Sequence, residues 1–452
     1  MGFIRDLGLG WVLGLAATLS LGGCVFGELG ENLETLDRAG RVSFNVAGER
    51  FKDYPVIAAL VRDEPGRVTV ETYGIVPTDG ALTLYCEPGA YLLIAFQDVS
   101  GNHRYDPGEP YATYGQPTPI EFWDGRDIEG LTLTLAMPVD AEGWTPTALR
   151  ERGVEVADRL ADFGSVVSLS DERFAREVAR GGMWEPARFI AENRAGLFML
   201  EAYDPEKIPV VFVHGIGGTP RHFETMIAEL DRERFQPWVF YYPSALRLPL
   251  LGDYLQVAVE RMRTAHGFER AFVVAHSMGG LVAWAGVRSH LRDIDTPVVD
   301  LLVTINSPLG GMASASLGVD YAPVVMPSWI DLDPESEFLA TLYDVELPAS
   351  LRYALFYGVS EDQPIKLPLP LEMLLGGDIV LDGEDFDDQT VSLDSQLHRP
   401  AVELADALHG HHVTHMGTLG DPQTIAALNR LLAERASNES DAPNPSPEPP
   451  TP

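Results

Sequence analysis

From Ile208 onward, short apolar runs alternate with amphipathic stretches, and this alternation narrows the possible folds more than any other feature of the chain. Pro209-Val-Val-Phe-Val213, Trp238-Val-Phe-Tyr-Tyr242, Phe272-Val-Val-Ala275, Leu301-Leu-Val-Thr-Ile305 and Tyr353-Ala-Leu-Phe-Tyr357 lack the polar alternation of a half-exposed strand. A continuous apolar run marks a strand buried on both faces. Between these runs, His222 to Leu230, Asp253 to Ala265 and Leu281 to His290 read as helices, the second with Leu255, Val259 and Met262 on one face. Strands alternating with helices predict an α/β architecture, a mostly parallel sheet covered on both sides.

The third run ends abruptly in Ala275-His-Ser-Met-Gly279 and resumes as a helix. A strand that turns sharply into a helix lifts the turning residue above the sheet edge. Its backbone is strained, so the residues two before and two after must be small. This is the Gly-x-Ser-x-Gly elbow with Ala275 in the first place, and it makes Ser277 the candidate nucleophile. The bland alternative is a buried serine in an ordinary strand–helix turn. The following helix directs its dipole and free N–H groups toward the serine, and places the Met278 N–H to hold an oxyanion.

After the first strong strand comes His214-Gly-Ile-Gly-Gly218. Glycine lets the backbone approach a substrate closely, and the Ile216 N–H becomes the second oxyanion donor. His214 lies too early in the chain to be the base and reads as a brace for this loop. With both motifs the chain resembles an α/β-hydrolase, and more narrowly the bacterial lipases and esterases. Asn306-Ser-Pro-Leu-Gly-Gly311 resembles the Thr-Pro-x-x-Gly-type turn of that group, with Ser307 for Thr, and Ser336-Glu-Phe-Leu339 falls where such lipases carry a lid helix.

The resemblance implies the chain order serine, acid, histidine. Asp387-Asp388-Gln-Thr-Val-Ser-Leu-Asp-Ser395 is similar to the lipase run Asp-Gly-x-Val-Pro-x-x-Ser, with Gln389 for Gly and Ser392 for Pro, which makes Asp388 the acid. Asp362, after a late strand, is the alternative, and Asp378 and Asp387 are near in register. His409, His411, His412 and His415 crowd together ahead of an apparent final helix, Gln423 to Leu432. The family places its histidine in a loop just before such a helix, which points to His415, with His412 next. The same cluster could bind a metal, but no second group of ligands stands at metal spacing.

The implied chemistry is cofactor-free acyl transfer through a Ser277–His415–Asp388 triad and an acyl-enzyme. Apolar residues between Met312 and Leu342, Trp329 and Phe338 among them, suit a lid or acyl-binding wall, or an ordinary core. Carboxylic or lipid esters are the expected substrates. The alternatives are transacylation or amide cleavage by the same triad, and a non-catalytic surface lipoprotein.

The residues before this region read differently. Residues 41–139 carry short strands such as Val42-Ser-Phe-Asn-Val46 and Val56-Ile-Ala-Ala-Leu-Val61, separated by Gly, Pro and Asp clusters, which predicts a small β-sandwich. The Pro88-Gly-Ala-Tyr91 turn resembles transthyretin-like or carboxypeptidase-regulatory modules. Within it, Asp98, Ser100, Asn102, Asp106 and Glu109 fall at positions one, three, five, nine and twelve of a loop, the oxygen spacing of an EF-hand. Calcium is the sharp expectation there, although His103 stands where glycine belongs. A polar hairpin braced by Asx turns is the plain one. Residues 140–195 read as a helical connection, 196–436 as the hydrolase domain, and 437–452 as a Pro-rich disordered tail.

The N-terminus has one Arg, an apolar run from Leu7 to Leu21, then Gly22-Gly-Cys24, an export signal over residues 1–23. The Leu-Gly-Gly-Cys end resembles a bacterial lipobox, which implies cleavage before Cys24, lipidation of its thiol and anchoring to the bacterial cell envelope. Residues 24–40 then read as a polar tether. The only other cysteine, Cys86, reads as a buried apolar residue. The net charge of −35 argues against nucleic acid, whose phosphates need Lys and Arg.

Overall fold

The computed structural model describes residues 25–137, 164–360 and 388–437, apart from short stretches at 39, 49–53, 65–66, 77–79, 87, 101–104, 107, 115–117, 124–126, 193 and 294–297. The expected signal peptide, Cys24, most of the C-terminal tail and the first part of the helical connection lie outside these residues.

Among the described residues, eight strands build the first half: β1 (Gly40–Gly48), β2 (Val56–Glu64), β3 (Arg67–Val76), β4 (Ala81–Cys86), β5 (Gly89–Gln97), β6 (Tyr111–Tyr114), β7 (Ile120–Phe122) and β8 (Ile128–Leu135). They form a three-stranded sheet, β4-β1-β8, and a second sheet, β3-β2-β5-β6, with β7 also on β5. Alternate residues Val42, Phe44 and Val46 of β1 share one core with Val56, Ala58, Leu60, Leu93 and Ala95 of the second sheet. The intervening residues Ile57, Ala59, Val61, Ile94 and Phe96 are buried as well, with Tyr105. Burial on both faces is why β2 and β5 read as unbroken apolar runs. Cys86 lies in the sandwich core, where burial pushes its thiol up to about 12.

The described residues of the candidate calcium loop bond to one another. Glu109 Oε1 accepts the N–H groups of Val99 (2.7 Å) and Ser100 (3.1 Å), and Oε2 accepts that of Asp106 (2.9 Å). Its carboxylate therefore staples the loop through three amide donors. Ser100 Oγ turns to Asp98 Oδ1 at 3.4 Å, and among the described residues no three His, Cys, Asp or Glu gather as metal ligands. Asn102 lies outside the described residues. Glu109 is itself buried beneath this loop.

The expected tether is corrected. Residues 25–38 form a helix, α1. Val25, Phe26 and Leu29 are buried in the larger core of the second half, Phe26 edge-on to Trp184 at 5.5 Å, and Asn32 Oδ1 accepts the Arg188 N–H. The segment is polar on average, but its few apolar residues share one helical face.

The second half contains α2 (Arg176–Trp184), α3 (Pro186–Ala191), β9 (Gly196–Met199), β10 (Ile208–Val213), α4 (Glu224–Ala228), β11 (Phe235–Tyr241), α5 (Leu248–His266), β12 (Ala271–His276), α6 (Met278–Asp293), β13 (Val299–Ile305), α7 (Ala313–Tyr321), α8 (Pro327–Leu332), α9 (Glu337–Leu342), β14 (Arg352–Gly358), α10 (Leu393–Gln396), α11 (Arg399–Leu404), β15 (Ala407–His411) and α12 (Pro422–Ser437). The sheet order is β15-β14-β13-β12-β10-β11-β9, parallel except for β9 at one edge. Val211 and Val213 of β10 enter one core while Val210 and Phe212 enter the other, so helices cover both faces. The chain leaves β10 for β11 on one side and then returns to β12 on the other. In open α/β sheets such a switch point is where ligands bind, beyond the carboxyl ends of the strands.

The segment expected as a lid is α9. Ser336 Oγ caps it by accepting the Leu339 N–H (3.2 Å), and Phe338, Leu339 and Leu342 are buried in the core. Neighbouring α8 is pinned through buried Asp331, which accepts from the Arg247 guanidinium (2.7 and 2.9 Å) and the Leu248 N–H (2.7 Å). Of the apolar residues between Met312 and Leu342, Met326, Trp329 and Phe338 are buried, whereas Tyr321 is 71% exposed.

Candidate active site

Ser277 alone separates β12 from α6, and its φ of +56° lies in the left-handed region that residues with a Cβ avoid. The strain is held by its surroundings: the Ser277 N–H donates to Ile305 O (2.9 Å), and the helix begins against the β10 loop. A Cβ on Gly279 would lie 2.4 Å from His214 O, and one on Gly215 would lie 2.7 Å from Ser277 Cβ. The small residues at the elbow and in the facing loop are thus steric requirements of two backbones in contact.

Ser277 Oγ lies 2.9 Å from His415 Nε2, and His415 Nδ1 lies 2.7 Å from Asp388 Oδ2. An ionised carboxylate only accepts, so Nδ1 carries the proton and Nε2 is left to accept from the serine hydroxyl. Asp388 is fully buried, while Ser277 and His415 keep 6% and 8% exposure. The other carboxylate oxygen, Oδ1, accepts the N–H groups of Thr390 (3.0 Å) and Val391 (2.8 Å), and Asp388 O accepts the His415 N–H (2.7 Å). Gln389, where the resembling run has glycine, adopts φ +79°, a conformation that costs a residue with a side chain about 1 kcal/mol or more.

The other candidates fall elsewhere. Asp362, Asp378 and Asp387 lie outside the described residues. His409 and His411 stack on Phe356 at 4.4 and 5.9 Å, and His412 is exposed.

Ile216 follows Gly215, and Met278 is the first residue of α6, where a helix leaves its N–H without an intrahelical acceptor. The amides after Ile216 are used locally: Gly217 N–H donates to Ser244 Oγ (2.9 Å) and Gly218 N–H to Gly215 O (3.0 Å). His214 braces the loop from behind. Its Nδ1–H donates to Gly215 O (2.8 Å), Tyr242 stacks on its ring at 4.2 Å and donates its hydroxyl to His214 O, and burial pushes its pKa down to about 3.

Three neighbours carry no sequence signal strong enough to single them out. His276, just before the nucleophile, donates Nε2–H to the carbonyl of His415 (2.9 Å), and burial followed by the adjacent His415 holds its pKa well below the usual range. Asn306 follows β13 at φ +48°, fully buried, with neither side-chain amide atom hydrogen-bonded. Gln396 is fully buried beneath the Asp388 turn.

Residues 210–428 match the model of the alpha/beta hydrolase family, and the order and direction of the strands give the alpha/beta hydrolase fold. Similar solved structures include the mature form of Bacillus licheniformis lipase BlEst2, at 17% identity over 51% of this chain and 94% of that one with a TM-score of 0.38. Aspergillus fumigatus lipase B aligns at 17% identity over 54% and 56% with a TM-score of 0.37, and Est1E from Butyrivibrio proteoclasticus at 11% over 53% and 93% with a TM-score of 0.33. No curated protein matches the chain.

Proposed function

We propose that the chain is a serine hydrolase that cleaves carboxylic esters, lipid esters among them, through an acyl-enzyme. The hydrogen-bonded series Ser277–His415–Asp388, set at the carboxyl edge of the sheet, is the observation that carries this reading. His415 Nε2 takes the Ser277 proton as Oγ attacks the ester carbonyl. Asp388 holds the imidazole in the Nδ1–H tautomer and stabilises the imidazolium that forms. The Ile216 and Met278 N–H groups receive the developing oxyanion, an effect worth about 3–4 kcal/mol per donor in comparable sites. His415 then protonates the leaving alkoxide. Water, deprotonated by the same imidazole, releases the acid and regenerates Ser277. No step needs a cofactor.

The Leu-Gly-Gly-Cys24 end supports lipid anchoring at the cell envelope, which puts the site beside ester-bearing lipids. The test is a panel of p-nitrophenyl esters of increasing chain length, each run with and without a competing alcohol. Hydrolysis with little alcoholysis is expected. Turnover of amides alone, or acyl transfer dominating over release of acid, would overturn the ester-hydrolase reading.

A further inference from the structure

The acid of this site is remote from the strand it serves. β14 ends at Gly358, and Asp388 stands in a turn outside the named strands, which meets the residues just after β14 where the Gln389 Nε2–H donates to Ser360 Oγ (3.2 Å). A carboxylate that must stay about 2.7 Å from an imidazole needs a fixed reference, because a displacement of about 1 Å in a catalytic group can cost about 100-fold in rate.

Gln396 supplies that reference. Its Oε1 accepts the Gly358 N–H (2.9 Å), and its Nε2 donates to Gly358 O (3.1 Å) and to Val391 O (3.0 Å). Val391 O also takes the Asp388 N–H (3.3 Å), and the Val391 N–H donates to Asp388 Oδ1. One buried side chain therefore couples the backbone of β14 to the residue that closes the acid turn. Gly358 also pairs with His411 of β15, and the Val359 N–H donates to His411 O (3.0 Å), four residues before His415. Acid and base are thus both referenced to the same glycine, the base through the sheet and the acid through Gln396. A Cβ on Gly358 would lie 2.6 Å from Asn306 Nδ2 and 3.1 Å from Val413 O, so the node leaves no room for a side chain at this residue.

The residue type follows. The node needs one acceptor facing an N–H and two donors facing carbonyls, on a short planar group. A primary amide provides this. Glutamate would set a negative oxygen against Gly358 O and Val391 O. No hydrogen bond joins Gln396 to Ser277, His415 or Asp388 themselves.

We propose that Gln396 is a positioning residue for ester hydrolysis, acting through Asp388 by fixing the acid turn to the end of β14. This rests on the Ser277–His415–Asp388 reading above. The test is a double-mutant cycle with Gln396→Leu and Asp388→Asn, reading kcat and KM on a soluble p-nitrophenyl ester, the rate of Ser277 phosphonylation by a fluorophosphonate, and Tm. Gln396→Leu is expected to lower kcat and the phosphonylation rate together, by about 10- to 100-fold, with KM within about twofold. In the Asp388→Asn background the same change is expected to cost less than about twofold, since the group it positions is already disabled. Equal losses in both backgrounds, or a fall in Tm with kcat unchanged, would overturn the proposal. If Gln396→Leu does not fold, Gln396→Glu keeps the acceptor for Gly358 N–H and deletes both donations, and full activity in that variant would equally overturn it. A parent protein that turns over no ester but is phosphonylated at Ser277 would refute the ester reading, while the phosphonylation arm of the cycle still decides the role of Gln396.

Discussion

Two buried carboxylates brace turns in the two halves of this molecule, and they do so differently. In the β-sandwich, Glu109 commits both oxygens to backbone N–H groups, those of Val99, Ser100 and Asp106. In the α/β half, Asp388 commits Oδ1 to Thr390 and Val391 and keeps Oδ2 for an imidazole. The first arrangement is complete in itself and holds a loop. The second is a turn brace with one oxygen held for His415, which in turn faces Ser277. In sequence both are acidic, Gly- or Gln-containing loops, and spacing alone invites a metal at one and a base partner at the other. Which oxygens the amides take separates structure from chemistry.

The largest expected difference comes from removing charge at each carboxylate. Asp388→Asn should lower kcat by about 10⁴-fold while the protein stays folded, because the imidazole loses the partner that fixes its tautomer. Steady-state kinetics beside a thermal melt check this, and a loss below about tenfold would place the acid elsewhere.

Next in size is the response to acid. His214 and His276 are buried and neutral, with pKa values depressed by burial, to about 3 for His214. A depressed histidine costs nothing above its unfolded value of 6.5, where both states are neutral. Below it the unfolded chain takes up a proton that the folded chain refuses, so stability falls by about 1.4 kcal/mol per pH unit for each such group. For His214 the loss continues down to about pH 3. Denaturant melts from pH 7 to pH 4 should show this decline, and His214→Phe should make it shallower, His276 supplying the remainder; an unchanged slope in that variant would contradict the assignment.

His276→Phe comes third. It keeps an aromatic ring beside His415 but leaves the His415 carbonyl without its donor, a cost of about 1–3 kcal/mol. kcat should fall about tenfold at constant KM, and His276→Gln, which can donate, should recover part of it. The smallest kinetic effect belongs to Glu109→Gln. It should lower stability by about 1–3 kcal/mol, leave kcat unchanged and show no rescue by added calcium. A calcium-dependent Tm in the parent protein, lost in Glu109→Gln, would instead place a cation at that loop.

The fold was legible in sequence where the signal was local. Unbroken runs such as Pro209 to Val213 announced strands buried on both faces, and Ala275 to Gly279 announced a turn that only small neighbours permit, now seen in the Ser277 φ of +56°. His415 and Asp388 could be named from order and from likeness to a family run, because the chain brings them to the serine in sequence order. What stayed illegible depends on which atom faces which. Gln396 is an unremarkable residue in a short helix until its amide is seen to span Gly358 and Val391. Glu109 supplied a metal-like spacing because a loop that wraps a carboxylate also spaces oxygens regularly. The helix at 25–38 was hidden by averaging, since Val25, Phe26 and Leu29 are few but share one face.

The most direct measurement is fluorophosphonate treatment of the folded protein, with the adduct mapped by peptide mass spectrometry. The expected result is a single adduct on Ser277, absent in Ser277→Ala and formed far more slowly in His415→Ala. A folded protein in which Ser277 stays unmodified, or is modified as fast without the His415 imidazole, contradicts the nucleophile–base pair on which the proposed chemistry stands.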